Sequence, residues 1–254
     1  MFDLEGKVAL ITGSTRGIGK AIAEQMARHG AKVVVSSRKA AGCDQVAEEI
    51  NRAVKNGRGE ATGIPCNISD KDQLQNLVSQ ALQRFRKIDI LVCNAAVNVY
   101  VGSLAEIPDE AFDKTINTNV RSNHWLCQMV LPEMAERREG VIIVISSISA
   151  LRGTGVLGAY GITKAAELAL VRNIAVEYGP KNVRANAIAP GLIKTDFSRA
   201  LWENEEFLKQ RLANTPLRRI GDPTDIAGAA VFLASEAGSF MTGQTLVIDG
   251  GVTA

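Results

Sequence analysis

Residues 7–12 (Lys-Val-Ala-Leu-Ile-Thr) form a short apolar run with β-branched members and lead directly into Gly13-Ser14-Thr15-Arg16-Gly17-Ile18-Gly19. An unbroken apolar run of this length reads as a strand buried on both faces. Ile18, Ile22, Ala23 and Met26 then recur at helical spacing until His29-Gly30 stops the pattern. Strand, glycine-rich turn and helix make the first half of a dinucleotide-binding βαβ unit. The glycines let the backbone turn sharply and approach a pyrophosphate, whose charge is held at the positive end of the helix. Gly13, Ser14, Thr15, Arg16, Gly17, Ile18 and Gly19 are therefore expected to contact a dinucleotide.

The second strand, at 32–36, runs into Ser36-Ser37-Arg38. An acidic residue about 20 positions beyond the glycines holds the ribose 2′-hydroxyl in NAD sites. This chain has no acid there and offers Ser37 and Arg38, with Arg16 inside the turn. Guanidinium groups bind phosphate oxygens bidentately, so the expected cofactor is NADP(H), held by its 2′-phosphate.

Further apolar strand candidates lie at 61–65, 88–92, 141–145, 183–189 and 245–248. Helical patterns at 70–85, 109–137, 159–178 and 222–233 fall between them. Such alternation predicts an α/β fold: one doubly wound Rossmann domain over residues 1–254, with a parallel sheet of about seven strands and helices on both faces. Ligands bind beyond the carboxyl ends of strands in such sheets. The glycine turn, Arg38, Asn67, Asn94, Ser147 and Pro190-Gly191 all follow strands and should share that edge.

With 254 residues, 46 % of them hydrophobic, the chain can bury a large core in one domain. A formal charge of +2 with interspersed signs implies neither nucleic acid nor a membrane surface. The opening residues lack the pattern of a signal peptide, and no apolar stretch is long enough to span a bilayer. Cys43, Cys66, Cys93 and Cys127 are scattered, as are His29 and His124, so no metal site or redox pair is expected. These features predict reduced thiols and a cytoplasmic location.

Tyr160 and Lys164 lie four residues apart, on one face of the predicted 159–178 helix. A phenol ionises near pH ~10, and a nearby ammonium is expected to pull that value down. The pair is a candidate proton-transfer unit, with Ser147 as a hydroxyl able to hold a carbonyl oxygen.

These motifs together resemble the short-chain dehydrogenase/reductase family over essentially the whole chain. The 12–19 segment is similar to its cofactor motif and Tyr160-Gly161-Ile162-Thr163-Lys164 to its active-site motif. Ser147, thirteen residues before Tyr160, corresponds to the catalytic serine, and Asn119 to the asparagine that completes a tetrad. The resemblance implies hydride transfer between NADPH and a small-molecule ketone or aldehyde, or the reverse from an alcohol. Ser147 would bind the oxygen, Tyr160 would act as general acid or base, Lys164 would lower the Tyr pKa and bind ribose, and Asn119 would hold a relay water. It also implies cofactor contacts at Asn67, Ile68, Asn94, Ala95, Tyr160, Lys164, Pro190, Gly191, Ile193 and Thr195. Two positions depart from the family pattern: Cys93 replaces an asparagine, and Asn67 stands where an acid is usual. Within the family, residues 94–98 and 189–195 are similar to NADP-dependent carbonyl and retinal reductases of the peroxisomal type.

A mobile substrate lid is expected at about 196–214, where Phe197, Leu201, Trp202, Phe207 and Leu208 mix with charges. Two rival readings differ in activity. A 3-oxoacyl-carrier-protein reductase would want a basic docking patch such as Arg137-Arg138, although Val176 stands where such reductases present an arginine. A non-catalytic NADP(H) sensor or scaffold would be expected to lose Tyr160 or Lys164. Excess apolar residues on the long helices, including Leu168, Leu170, Val171 and Ile174, together with the family resemblance, predict a homotetramer.

Overall fold

Apolar runs with no polar alternation become central strands here because helices cover both faces of the sheet. The computed structural model describes residues 1–54 and 58–254. Its strands are β1 (Val8–Thr12), β2 (Lys32–Ser36), β3 (Glu60–Gly63), β4 (Ile90–Cys93), β5 (Gly140–Ile145), β6 (Val183–Pro190) and β7 (Thr245–Ile248). They pair in parallel in the order β3-β2-β1-β4-β5-β6-β7. The helices are α1 (Gly17–Arg28), α2 (Ala40–Ala53), α3 (Lys71–Phe85), α4 (Asp109–Ile116), α5 (Ser122–Arg137), α6 (Gly158–Tyr178), α7 (Arg199–Trp202), α8 (Glu205–Ala213) and α9 (Pro223–Ala234).

Successive strand residues feed two separate cores, as a two-residue period requires. Ala9, Ile11, Val33, Val35 and Ile143 join Ile22 and Met26 of α1 and Ile226 of α9 on one face. Leu10, Val34, Leu91 and Ile142 join Leu74, Leu126, Leu168 and Val171 on the other. Each fully buried Leu or Ile contributes roughly 1.5–3 kcal/mol, so one register slip would forfeit an entire face.

Three expectations change in detail. The third strand closes at Gly63, because Pro65 has no N–H to continue the ladder. Residues 109–137 do not form one α-helix: a π-helical turn, Asn117–Arg121, separates α4 from α5. The wider turn carries the fully buried Asn119. On α6, Leu168, Val171 and Ile174 point into the molecule's own second core. They therefore give no apolar excess, and the exposed apolar residues of that helix are Ile162 and Val176.

The amino-terminal edge of the sheet is clamped by charge. Asp89, 2 % exposed, accepts from the Val8 N–H at 2.8 Å and pairs with Arg137 and Lys87, each at 2.9 Å. Arg137 also pairs with Glu133 and Glu139 and donates to the Ile88 carbonyl at 3.0 Å. No helix among the described residues is long and apolar enough to cross a membrane.

Candidate active site

At the carboxyl edge the strand register aligns Thr12 with Ser36, Cys93 with Val144, and Ile145 with Ile188. The glycine turn, Ser37, Asn94, Ser147 and Gly191 therefore emerge side by side. Gly13 has φ +65°, a conformation that disfavours side chains. A Cβ on Gly19 would lie 2.4 Å from Asn94 Nδ2 and 2.5 Å from the Gly13 carbonyl oxygen, so the turn tolerates only glycine. Asn94 Nδ2 donates to the carbonyls of Thr12 at 2.8 Å and Gly13 at 3.1 Å. The Thr12 hydroxyl accepts from the N–H groups of Asn94 and Ala95. Ser14 Oγ donates to the Ile11 carbonyl and accepts from the Ser36 N–H at 2.9 Å. The first turn of α1 has no side-chain cap and no acidic residue, which leaves its positive end open to an anion.

Around this cradle, Thr195 touches the turn, its Cγ2 lying 3.2 Å from where a Gly17 Cβ would be. Ile193 forms a bridge with Gly221, and the Gly191 N–H donates to the Ile248 carbonyl at 2.9 Å. Arg38 is exposed, while Ser37 Oγ lies 3.5 Å from the Cys43 sulfur. Arg16 pairs with Asp196 at 3.5 Å, linking the glycine turn to the 196–214 segment. Asn67 caps a local turn by accepting from the Ser69 N–H, and Ile68 packs on the second core. The fold and the open, positively polarised cradle fit a dinucleotide.

The chemical groups converge beside it. Ser146 Oγ donates to the Lys164 carbonyl at 2.9 Å, fastening α6 to the end of β5. Ser147 follows β5, and its Oγ accepts from the Ser149 N–H at 3.1 Å. Tyr160 is half-buried, with its ring centroid 6.1 Å from that of Phe197 in the lid. The lysine ammonium sits 5.6 Å from the Tyr160 ring centroid. Contrary to the sequence expectation, the Tyr160 pKa lies above its ordinary value: burial raises it, Lys164 lowers it, Glu167 raises it and the Ser147 hydroxyl lowers it. Lys164 Nζ donates to the Ile145 carbonyl and to Glu167 Oε1, both at 2.9 Å. Burial works against that ammonium, yet Glu167, Tyr160 and Cys93 hold its pKa above the ordinary value.

Asn119 is held by hydrogen bonds on every side. Its amide accepts from the Val97 N–H at 2.8 Å and donates to the Val97 carbonyl and Thr163 Oγ1. Its own carbonyl accepts from Asn123 Nδ2 at 2.7 Å. Thr12, Asn123 and Glu167 were not foreseen. The signal for Glu167 lay in helical spacing, because positions 164, 167, 171 and 174 share one face of α6.

The four cysteines are free and buried. Burial, followed by the charge of Asp70, pushes Cys66 up to about 12, and hydrogen bonding to Cys127 with burial raises Cys93. Among the described residues no group of three or more His, Cys, Asp or Glu is placed to hold a metal. In the 196–214 segment, the Trp202 indole donates to the Thr195 carbonyl at 2.9 Å, and neither α7 nor α8 contains a buried residue.

A doubly wound sheet with a glycine cradle and a Ser–Tyr–Lys group at its carboxyl edge defines a nicotinamide-dependent oxidoreductase. The chain belongs to the short-chain dehydrogenase/reductase family: the family model described as "Enoyl-(Acyl carrier protein) reductase" matches residues 13–253. Dehydrogenase/reductase SDR family member 4 of Homo sapiens is 43 % identical over 252 residues, covering 98 % of this chain and 88 % of that protein. A 7α-hydroxysteroid dehydrogenase, solved with NADH and 7-oxo glycochenodeoxycholic acid, superposes with a TM-score of 0.90 at 38 % identity and covers 98 % of this chain and 95 % of its own. A putative gluconate dehydrogenase from Agrobacterium tumefaciens gives a TM-score of 0.94 at 31 % identity, with coverages of 99 % and 97 %.

Proposed function

We propose that the protein is an NADP(H)-dependent carbonyl reductase acting on small ketones or aldehydes, with Tyr160 as general acid. The observation that carries the reading is Tyr160 flanked by Ser147 and Lys164 at the edge that also holds the glycine cradle. Gly13 to Gly19 would hold the pyrophosphate, Arg38 and Ser37 the 2′-phosphate, and Lys164 the nicotinamide ribose. The bound cofactor supplies a hydride to the carbonyl carbon. Ser147 donates to the carbonyl oxygen and stabilises the charge that grows there. Tyr160 gives its proton to that oxygen, and its raised pKa favours the protonated phenol that reduction needs. Phe197, tilted beside the Tyr160 ring at 6.1 Å between centroids, would keep water from the reacting oxygen when the lid is down.

Arg38 and the absent acid after β2 support NADPH over NADH. Against the carrier-protein rival, Arg137 of the Arg137-Arg138 pair is engaged by Asp89, Glu133 and Glu139 at the opposite edge of the sheet. The scaffold rival is disfavoured because Tyr160 and Lys164 are both retained. A homotetramer is supported by the exposed apolar residues Ile162 and Val176 on α6 and by Phe240 beside the last strand. A cytoplasmic location is supported by four free, buried thiols.

A panel of ketones and aldehydes with NADPH and NADH, followed by reduced-nicotinamide absorbance, tests the activity. Oxidation of NADPH by at least one carbonyl is expected. Tyr160→Phe should lose about 10²–10⁴-fold in kcat while retaining NADPH binding. Substantial turnover by that variant would overturn the assignment.

A further inference from the structure

Lys164 and Glu167 form an ion pair whose side chains are 2 % and 1 % exposed. The carboxylate is only half satisfied. Oε1 accepts from Lys164 Nζ at 2.9 Å and from Asn123 Nδ2 at 3.3 Å, while Oε2 is buried without a partner among the described residues. Asn123 Oδ1 is also buried and unpartnered. The ammonium meant for the ribose is thus turned inward, against the Ile145 carbonyl and this carboxylate.

We propose that Glu167 is a positioning residue: a buried counter-charge that parks Lys164 away from the ribose and takes up a proton when the bound cofactor draws the ammonium off. This rests on the reading of Lys164 as a ribose-binding residue of an NADPH site. The titratable groups facing Glu167 are Lys164 and Tyr160 from α6 and Cys93 from β4, which is hydrogen-bonded to Cys127 of α5. None of these except Lys164 is a cation. Burial already raises the Glu167 carboxyl to about 7 with Lys164 and Ser146 favouring its ionised form. Withdrawing the ammonium removes the largest of the influences that lower it, so the carboxylate combines with a solvent proton near neutral pH. The resulting O–H is a donor of the kind Asn123 Oδ1 lacks, so a second orphaned atom can gain a partner in the same step.

The test is calorimetric titration of NADPH into the full-length protein at pH 7.5, in phosphate and in Tris, whose ionisation enthalpies differ. The unmodified protein is expected to take up about half to one proton per cofactor bound. Titration of the cofactor's own 2′-phosphate would give release, the opposite sign. Glu167→Gln, whose amide cannot titrate, should show a markedly smaller uptake than the unmodified protein. Equal enthalpies in the two buffers for the unmodified protein, or the same uptake in Glu167→Gln, would overturn the proposal. The buffer comparison on the unmodified protein decides the matter alone if the variant does not fold. NADPH binding without proton uptake rejects only this proposal, whereas no NADPH binding at all rejects the cofactor reading with it.

Discussion

In the proposed reading, Arg38 is the residue on which cofactor choice turns. It stands exposed just beyond β2, where a carboxylate would accept from a ribose 2′-hydroxyl. A charge-assisted hydrogen bond contributes about 1.5–3 kcal/mol, so losing the guanidinium should weaken NADPH binding by roughly 10- to 100-fold. Arg38→Asp adds repulsion of the 2′-phosphate and supplies an acceptor for the hydroxyl. The ratio of kcat/KM for NADPH to that for NADH should therefore invert in this variant. An unchanged ratio would assign the preference to other residues. Arg16 pairs with Asp196 in this structure, an exposed contact weak enough for a phosphate to displace.

At the scale of elements, the two edges of the sheet have opposite duties. The carboxyl edge keeps polar groups open for ligands, whereas the amino edge closes on itself around Asp89. That carboxylate joins the start of β1, the entry to β4 and the end of α5. Asp89→Asn leaves Arg137 and Lys87 without their shared anion, and breaking a largely buried pair of this kind destabilises by about 3 kcal/mol. Urea unfolding should show the midpoint falling by that equivalent, with NADPH affinity nearly unchanged, since the residue lies at the far edge from the cradle. Wild-type stability in Asp89→Asn would mean that the network is screened like a surface pair. The proposed lid belongs to the other edge. With no residue buried in α7 or α8, it has little packing to resist closure over Tyr160 through Phe197.

At the scale of the whole molecule, the proposed homotetramer rests on surface that a lone subunit leaves in water. Val176 is 80 % exposed and Phe240 entirely so. Two independent two-fold contacts close into a tetramer, so light scattering at micromolar concentration should give about four times the chain's 27.1 kDa. Val176→Glu, which places a charge in the expected contact, should lower that mass, whereas a monomeric parent would reject the assembly.

The sequence by itself determined the sheet and the glycine cradle, and it singled out the side chains that are candidates for the chemistry. Uninterrupted apolar runs separated by helical periods admit few arrangements other than a doubly wound parallel sheet. Gly13, Gly17 and Gly19 announce a close backbone approach, and Tyr160 with Lys164 needs only helical spacing to be read. Tertiary structure decided what surrounds those groups. Whether the Tyr160 pKa moves down or up depends on burial set against a nearby cation, and that burial exists only in the folded chain. Asn119 was legible as a polar residue near the site, but the π-turn that spends its amide on Val97 and Thr163 is a packing outcome. Arg137 read as a free surface cation until the fold placed it beside Asp89. Glu167 lay in plain view three residues after Lys164, yet a carboxylate on a helix is ordinarily solvated. Only the closing of α6 against α5 and β5 buried it against the ammonium, because desolvation is set by neighbours distant in the chain.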